Sequence, residues 1–329
     1  MKVHITFDVE IWCNDWQRLD ERFPSSFERY VWGRSSHGEF ALPKTLEILA
    51  RHGLQGVFFV EPLFAARFGL VHLNTIVSMI RDAGQDVQLH LHPEWVDEVR
   101  PPLIEACLSK RQHLSHYSLE EQTALIGHGL RLLGEVGVSG VSAFRAGSFA
   151  CNRDTFEALA TNSLMLDSSL NACYGVSAPE IFDGVSCLGP CAVGGVDTFA
   201  VTVFRDGFGR IRPAQIAGCS FLELRQAIES AAASGADDFV IVSHNFEMLR
   251  PQGTEPDTIV VRRFERLCAF LGENRKLLPT GKFERRKPFA AGQTVMLPQT
   301  GPVSTIVRHA EQAWRRLPPW LNPALSAPN

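Results

Sequence analysis

The chain has no run approaching about 18 uninterrupted apolar residues, the length a helix needs to cross a bilayer. Its first residues, MKVHITFDVE, contain neither a long apolar core nor a small-residue cleavage site of the kind found in export leaders. No transmembrane segment is expected, and the expected compartment is the cytoplasm. Positive charge is in short supply as well. With 32 Lys and Arg against 36 Asp and Glu, the net charge is −4, so there is no general attraction for polyphosphate and nucleic acid is not an expected partner. The eight cysteines, at 13, 107, 151, 173, 187, 191, 219 and 268, lack the paired C-x-x-C spacing of a zinc knuckle. The closest two, Cys187 and Cys191, are separated by a Gly-Pro turn, and the expectation for the whole set is free, mostly buried thiols in a reducing compartment. Repeats of fixed period and low-complexity segments are also absent, which excludes solenoids and linker-rich architectures.

What is present is enough apolar material for one large core: 45% of 329 residues, within the range of single-domain α/β barrels. Residues 2–7 alternate and lead into an acidic residue, which predicts a first strand carrying Asp8 at its carboxyl end. Residues 12–40 are rich in Trp, Arg, Ser and Gly without a clean period, which predicts a long substrate-facing insertion loop. Helical spacing returns at 43–52 and at 71–84, each closed by glycine, with the buried-type strand GVFFV between them. Ser118 with Glu121, and Ser220 with Glu223, have the spacing of capping boxes ahead of two further helices. Short β runs (DVQLHLH, VSAF, LMLDSS, VDTFAVTVF, DFVIVSH) alternate with these helices, which argues for a parallel sheet, open or closed into a barrel. After about residue 276 the pattern ends, and a basic tail with tryptophan and proline is expected to pack on the barrel exterior, with disorder and contact with a partner or a membrane surface as the alternatives. The organisation expected is a catalytic unit over 1–275 and an extension over 276–329.

The polar residues of interest fall at the carboxyl ends of predicted strands. Asp8 and Glu10 follow the first strand, His90 and His92 close the third, and Arg145, Asp167 and His244 each end a later one. That edge is where loops converge on ligands in barrels and open α/β sheets. Histidines at i and i+2 on an extended segment project to one side and can share a metal ion. One carboxylate from Asp8 or Glu10 completes a two-His-one-carboxylate set with open positions. Alone, the HLH pair reads more readily as a hydrogen-bonded structural pair than as a metal site; its company at the strand ends reverses that preference. Amide hydrolysis at such a site also needs a proton acceptor and a proton donor, and Asp8 and His244 are the candidates. Arg145 is expected to hold the base carboxylate, and Asp167 to orient the acid histidine or to serve a turn.

Five segments in order, TFDVE (6–10), GQDVQLHLHP (84–93), FRAGSF (144–149), DSS (167–169) and VSH (242–244), resemble the motifs of the polysaccharide deacetylases of carbohydrate esterase family four, the NodB-homology group. The resemblance covers roughly residues 1–275. It implies a distorted (β/α)7 barrel with one divalent metal ion, zinc or else cobalt or nickel, and hydrolysis by activated water. It makes Asp8 the general base, His90 and His92 metal ligands, Arg145 the base-orienting arginine and His244 the general acid.

The departures are specific. Where the family pairs two aspartates, this chain has Asp8-Val9-Glu10, so the third ligand is either Glu10 or Asp8. The two histidines are separated by Leu91 alone instead of three residues, although Pro93 is kept, and the arginine motif reads RAGSF in place of R-P-P-Y. The leading expectation is removal of an acyl group from an N-acylated amino sugar in surface-glycan assembly, on a nucleotide- or lipid-linked precursor. Trp12, Trp32, Trp95 and Phe149 are the aromatic candidates for contact with the sugar. A small-amide or formyl hydrolase, and a catalytically silent barrel that binds a glycan or a partner, are the competing expectations.

Overall fold

The computed structural model describes residues 1–13, 15–105, 107, 109–174, 191–251, 254–285 and 296–316. Its strands are β1 (Lys2–Val9), β2 (Arg34–Ser35), β3 (Gly38–Glu39), β4 (Gly56–Val60), β5 (Asp86–Leu91), β6 (Ala143–Ala146), β7 (Leu166–Asp167), β8 (Cys191–Val193), β9 (Val196–Thr198), β10 (Val203–Arg205), β11 (Ile211–Pro213) and β12 (Asp238–His244). Eight of them form one curled sheet in the order β12-β1-β4-β5-β6-β7-β9-β8. All neighbours in it are parallel except the edge pair β8 and β9. Parallel strands need crossovers, and the helices Leu42–Arg51, Leu70–Asp82, Leu119–Glu135 and Arg153–Thr161 supply them between β1 and β7. Covered on both faces, β4 is buried at every position and β1 at all but its first, which is why GVFFV reads as an unbroken apolar run.

Beyond β9 the chain turns back across the open side of the sheet. Thr202 N donates to Val240 O at 3.0 Å and Val242 N to Ala214 O at 2.9 Å, so the segment around β10 and β11 ties to β12 and draws the sheet into the distorted barrel. The expected single run VDTFAVTVF thus splits into β9, in the main sheet, and β10, which pairs with β11. The helices after Ser118 and Ser220 both carry complete capping boxes, and Asn152 with Thr155 makes a third.

Two expectations need correcting. Residues 12–40 are not an unstructured loop: they form the helices Trp16–Arg18, Leu19–Phe27 and Glu28–Trp32 and the β2–β3 hairpin. Leu19, Phe23 and Phe27 recur every fourth residue and are buried, a short helical period hidden by Pro24 and by the polar residues between. Free thiols do not account for every cysteine. Cys13, Cys107, Cys151, Cys173, Cys219 and Cys268 are free, but Cys191 is disulfide-bonded, which removes thiol chemistry as a guide to compartment; Cys187 lies outside the described residues. Part of the tail is also regular: the helix Pro302–Arg315 lies against the helix Phe221–Ala233.

Arg308 of that last helix is buried between Asp206 (2.9 Å) and Glu223 (2.9 Å), both also buried. Removing the guanidinium would leave two carboxylates desolvated without a cation, so Arg308→Met should lower stability by about 3–5 kcal/mol. Urea denaturation measures this; a loss below about 1 kcal/mol would mean the pair is hydrated in solution.

Candidate metal centre

The register of the sheet assembles the site. Val9 lies opposite Val60, Val60 opposite Leu89, Leu89 opposite Phe144 and Phe144 opposite Asp167. The next residue on each strand path is Glu10, Glu61, His90, Arg145 and Ser168, one polar tier at the carboxyl edge. Asp8, opposite His244, lies just below it.

Within this tier Glu10, His90 and His92 bring one ligand atom each to within 4.8 Å of the others. His92 Nε2 is 2.5 Å and His90 Nε2 3.8 Å from Glu10 Oε2. The outer nitrogens are occupied: His90 Nδ1 lies 2.7 Å from the Arg145 carbonyl oxygen, and His92 Nδ1 3.1 Å from Glu94 Oε2. Both partners are acceptors, so each Nδ1 carries the hydrogen and, in a neutral ring, each Nε2 presents a lone pair. Three lone-pair donors therefore face one point, and Glu10 Oε2 is buried there without a partner of hydrogen-bonding geometry. Two imidazole nitrogens and a carboxylate oxygen suit a divalent ion of the zinc, cobalt or nickel type. Burial works to raise the Glu10 pKa, but His92, His90 and His244 outweigh it and hold the carboxyl well below its usual range. His92 is driven the other way: burial disfavours its charge, yet Glu10 and Glu94 hold its pKa well above the usual imidazole value.

Asp8 stands apart from these donors. Arg145 reaches across the barrel interior to donate from Nη1 to Asp8 Oδ1 at 2.6 Å, and its other nitrogens donate to Ser168 O (3.1 Å) and Ser168 Oγ (2.8 Å). Its guanidinium also sits 4.3 Å over the Phe59 ring. A fully buried arginine with every arm engaged holds the carboxylate in one orientation. His244 Nε2 lies 3.3 Å from Glu10 Oε1, and its Nδ1 lies 3.2 Å from Glu247 Oε1. Burial works against a charged His244 ring, but Glu247, Glu10 and Asp8 prevail and raise its pKa to about 9.

Asp167 does not orient His244. Its carboxylate accepts from Ser169 N at 2.9 Å and Ser169 Oγ at 2.5 Å, a turn role, and burial raises its pKa to about 6. The group beside His244 is Glu247, itself held by Ser243 Oγ (2.7 Å) and Gln215 Nε2 (2.7 Å). Strand-end reasoning misses Glu247 because it lies beyond the strand, but three residues after His244 is one turn of chain. It misses Glu61 as well, although that residue follows GVFFV as Asp8 and Glu10 follow their own run. Burial pushes the Glu61 pKa up to about 8, against hydrogen bonds from Leu63 N and Phe64 N.

A cleft of about 400 Å³ opens onto this tier, lined among others by Glu10, Glu61, His92, Trp12, Trp16 and Trp95. Of the aromatic candidates, Trp12 is 45% exposed and 6.2 Å from the His244 ring, whereas Trp95 is 2% exposed and packs against Trp16, Phe23, Phe64 and Phe68. Trp32 and Phe149 are not among its described lining residues: Trp32 sits under Arg34, and Phe149 stacks on Tyr174.

Gly147 leaves room for the His92 ring. A Cβ there would lie 2.8 Å from Cδ2 and from Cε1 of His92 and 2.7 Å from the Leu91 carbonyl oxygen. Ser148 and Phe149 follow at φ 55 and 56, a left-handed pair uncommon outside glycine. Gly147→Ala should displace the His92 ring and weaken metal binding about 10- to 100-fold, with an overpacking cost of about 1–3 kcal/mol. Chelator competition reads the affinity; a folded variant with unchanged affinity would remove Gly147 from this role.

No protein-family model and no curated protein matches the chain. Solved structures do. A protein from Mycobacterium smegmatis assigned to the polysaccharide deacetylases is 18% identical, with a TM-score of 0.50 over 87% of this chain and 94% of its own. A family 4 carbohydrate esterase from Streptomyces lividans, in complex with acetate, is 15% identical over 86% and 93%, with a TM-score of 0.42. A family 4 pseudoenzyme from Bacillus anthracis is 13% identical over 83% and 61%, with a TM-score of 0.39. With its parallel strands curled into a distorted (β/α)7 barrel and its polar tier at their carboxyl edge, the chain has the fold of the polysaccharide deacetylases.

Proposed function

We propose that this chain hydrolyses the N-acyl amide of an N-acylated amino sugar, with one divalent ion, zinc or else cobalt or nickel, held by Glu10, His90 and His92. The observation that supports it most is the three lone-pair donors facing one point beside a carboxylate that is not among them. When bound, such an ion supplies Lewis acidity toward an amide carbonyl and toward water. Asp8, fixed by Arg145, accepts the proton that water loses. His244, kept cationic by Glu247 and Glu10, delivers a proton to the departing nitrogen, without which the amine is too poor a leaving group. Trp12 offers an exposed ring at the cleft mouth for the apolar face of a sugar. The physiological substrate in this reading is a nucleotide- or lipid-linked precursor of a surface glycan, handled in the cytoplasm.

The direct test is acetate release from N-acetylated sugar nucleotides by protein loaded with zinc, cobalt or nickel. Tight metal binding with no release from any acylated substrate would sink the proposal and leave a silent barrel; turnover confined to small formyl amides would change the substrate class. Glu10→Gln should lose the metal. His244→Ala should keep metal stoichiometry but lose turnover by about 100-fold or more, and loss of metal there would contradict its role. Glu247→Gln removes an anion that stabilises the imidazolium, so the alkaline limb of the kcat/KM profile should move to lower pH by about one unit. An unmoved limb would show that His244 is not the titrating acid.

A further inference from the structure

The helix Pro302–Arg315 is inside out. The residues it buries are polar, Ser304, Thr305 and Arg308. Its apolar residues Val303, Ile306, Val307, Ala310, Ala313 and Trp314 recur at helical spacing on the other face. Val303 is 69% exposed, Ile306 56% and Trp314 42%. This setting is enforced. Arg308 is clamped by Asp206 and Glu223, Thr305 Oγ1 donates to Glu223 at 3.1 Å, Arg263 pairs with Glu311 at 2.7 Å, and Arg315 pairs with Asp257 at 2.6 Å. Rotating the helix to hide its apolar face would break all of these contacts. The patch extends onto the turn between β10 and β11, where Phe208 is 56% exposed and stacks on His309 at 6.1 Å.

The charge around the patch identifies its occupant. Beside the helix runs a groove lined by Phe221, Ile259, Arg262, Arg266, Ala310 and Trp314, among others. Its carboxylates are already taken, Glu265 by Arg51 and Glu311 by Arg263. Among the described residues Arg262, Arg266 and, on the β10–β11 turn, Arg210 have no carboxylate partner, and Arg266 only covers the Phe221 ring at 4.4 Å. The cationic excess is local, because the chain as a whole carries −4. A second copy docked on this face would set arginine against arginine with no free carboxylate to meet them. An apolar stripe flanked by unpaired arginines matches the interface of an anionic bilayer, apolar side chains entering the acyl boundary and guanidinium groups meeting phosphates. We propose that the outer face of the helix Pro302–Arg315, with Phe208, docks the protein on an anionic lipid surface.

Flotation of the full-length protein with liposomes tests this independently of catalysis. Phosphatidylcholine vesicles containing about 30% phosphatidylglycerol should carry the protein up, and pure phosphatidylcholine should carry it at least about tenfold less. Ile306→Glu with Trp314→Glu, and separately Arg262→Ser with Arg266→Ser, should each reduce flotation about tenfold or more. All four residues lie outside the cleft and none buries its side chain, so the thermal unfolding temperature should hold. No flotation with anionic vesicles, flotation untouched by both variants, or a lipid-independent dimer dissolved by the Glu variant would each overturn the proposal, the last in favour of self-association. Failure of deacetylation with flotation intact would refute the enzymatic reading alone.

Discussion

The site is organised by a repulsion. A buried carboxylate oxygen of Glu10 faces the ε nitrogens of His90 and His92, and the second hydrogen bond of each ring leaves a lone pair pointing inward. Three electron-rich atoms in a low-dielectric pocket are stable together only with a cation among them. A proton can serve, which is why the His92 pKa is driven up; a divalent ion satisfies all three at once. The Arg145 carbonyl and Glu94 matter as much as the three facing atoms, because releasing either nitrogen would let a ring turn and remove the constraint.

The same site separates two carboxylates only two residues apart. Glu10 is long enough to reach the histidines, whereas Asp8 meets a fully buried arginine arriving from the far side of the barrel. One strand thus presents two carboxylates with different partners, Glu10 toward the histidines and Asp8 toward Arg145. Of the two carboxylates that the motif leaves open as ligand, the donor cluster contains Glu10. His244 completes the tier from the strand on the other side of β1, its ring poised between Glu10 and Glu247.

The C-terminal helix obeys a different rule from the rest of the molecule. The helices that link the strands of the main sheet bury apolar residues; here buried ion pairs fix the rotation and the apolar stripe is left outside. Composition could not reveal this, because a helix with a strong apolar face looks the same in sequence whichever way that face turns. Only the partners Asp206, Glu223 and Asp257, from three other segments, decide it.

Much of the fold and part of the site are legible in the amino-acid sequence. Period-two and unbroken apolar runs mark the strands, serine with glutamate three residues on marks two helix starts, and polar residues at strand ends mark the site, because a parallel sheet buries everything except its edges. What the sequence cannot supply is contact across the barrel. Glu247 rather than Asp167 beside His244, Arg145 on Asp8, and the empty Cβ position at Gly147 that admits His92 all depend on side chains meeting from segments distant in the chain. The alternation of residue types is a local property and can be read locally; which buried group faces which depends on register and curl, and those exist only once the sheet has closed.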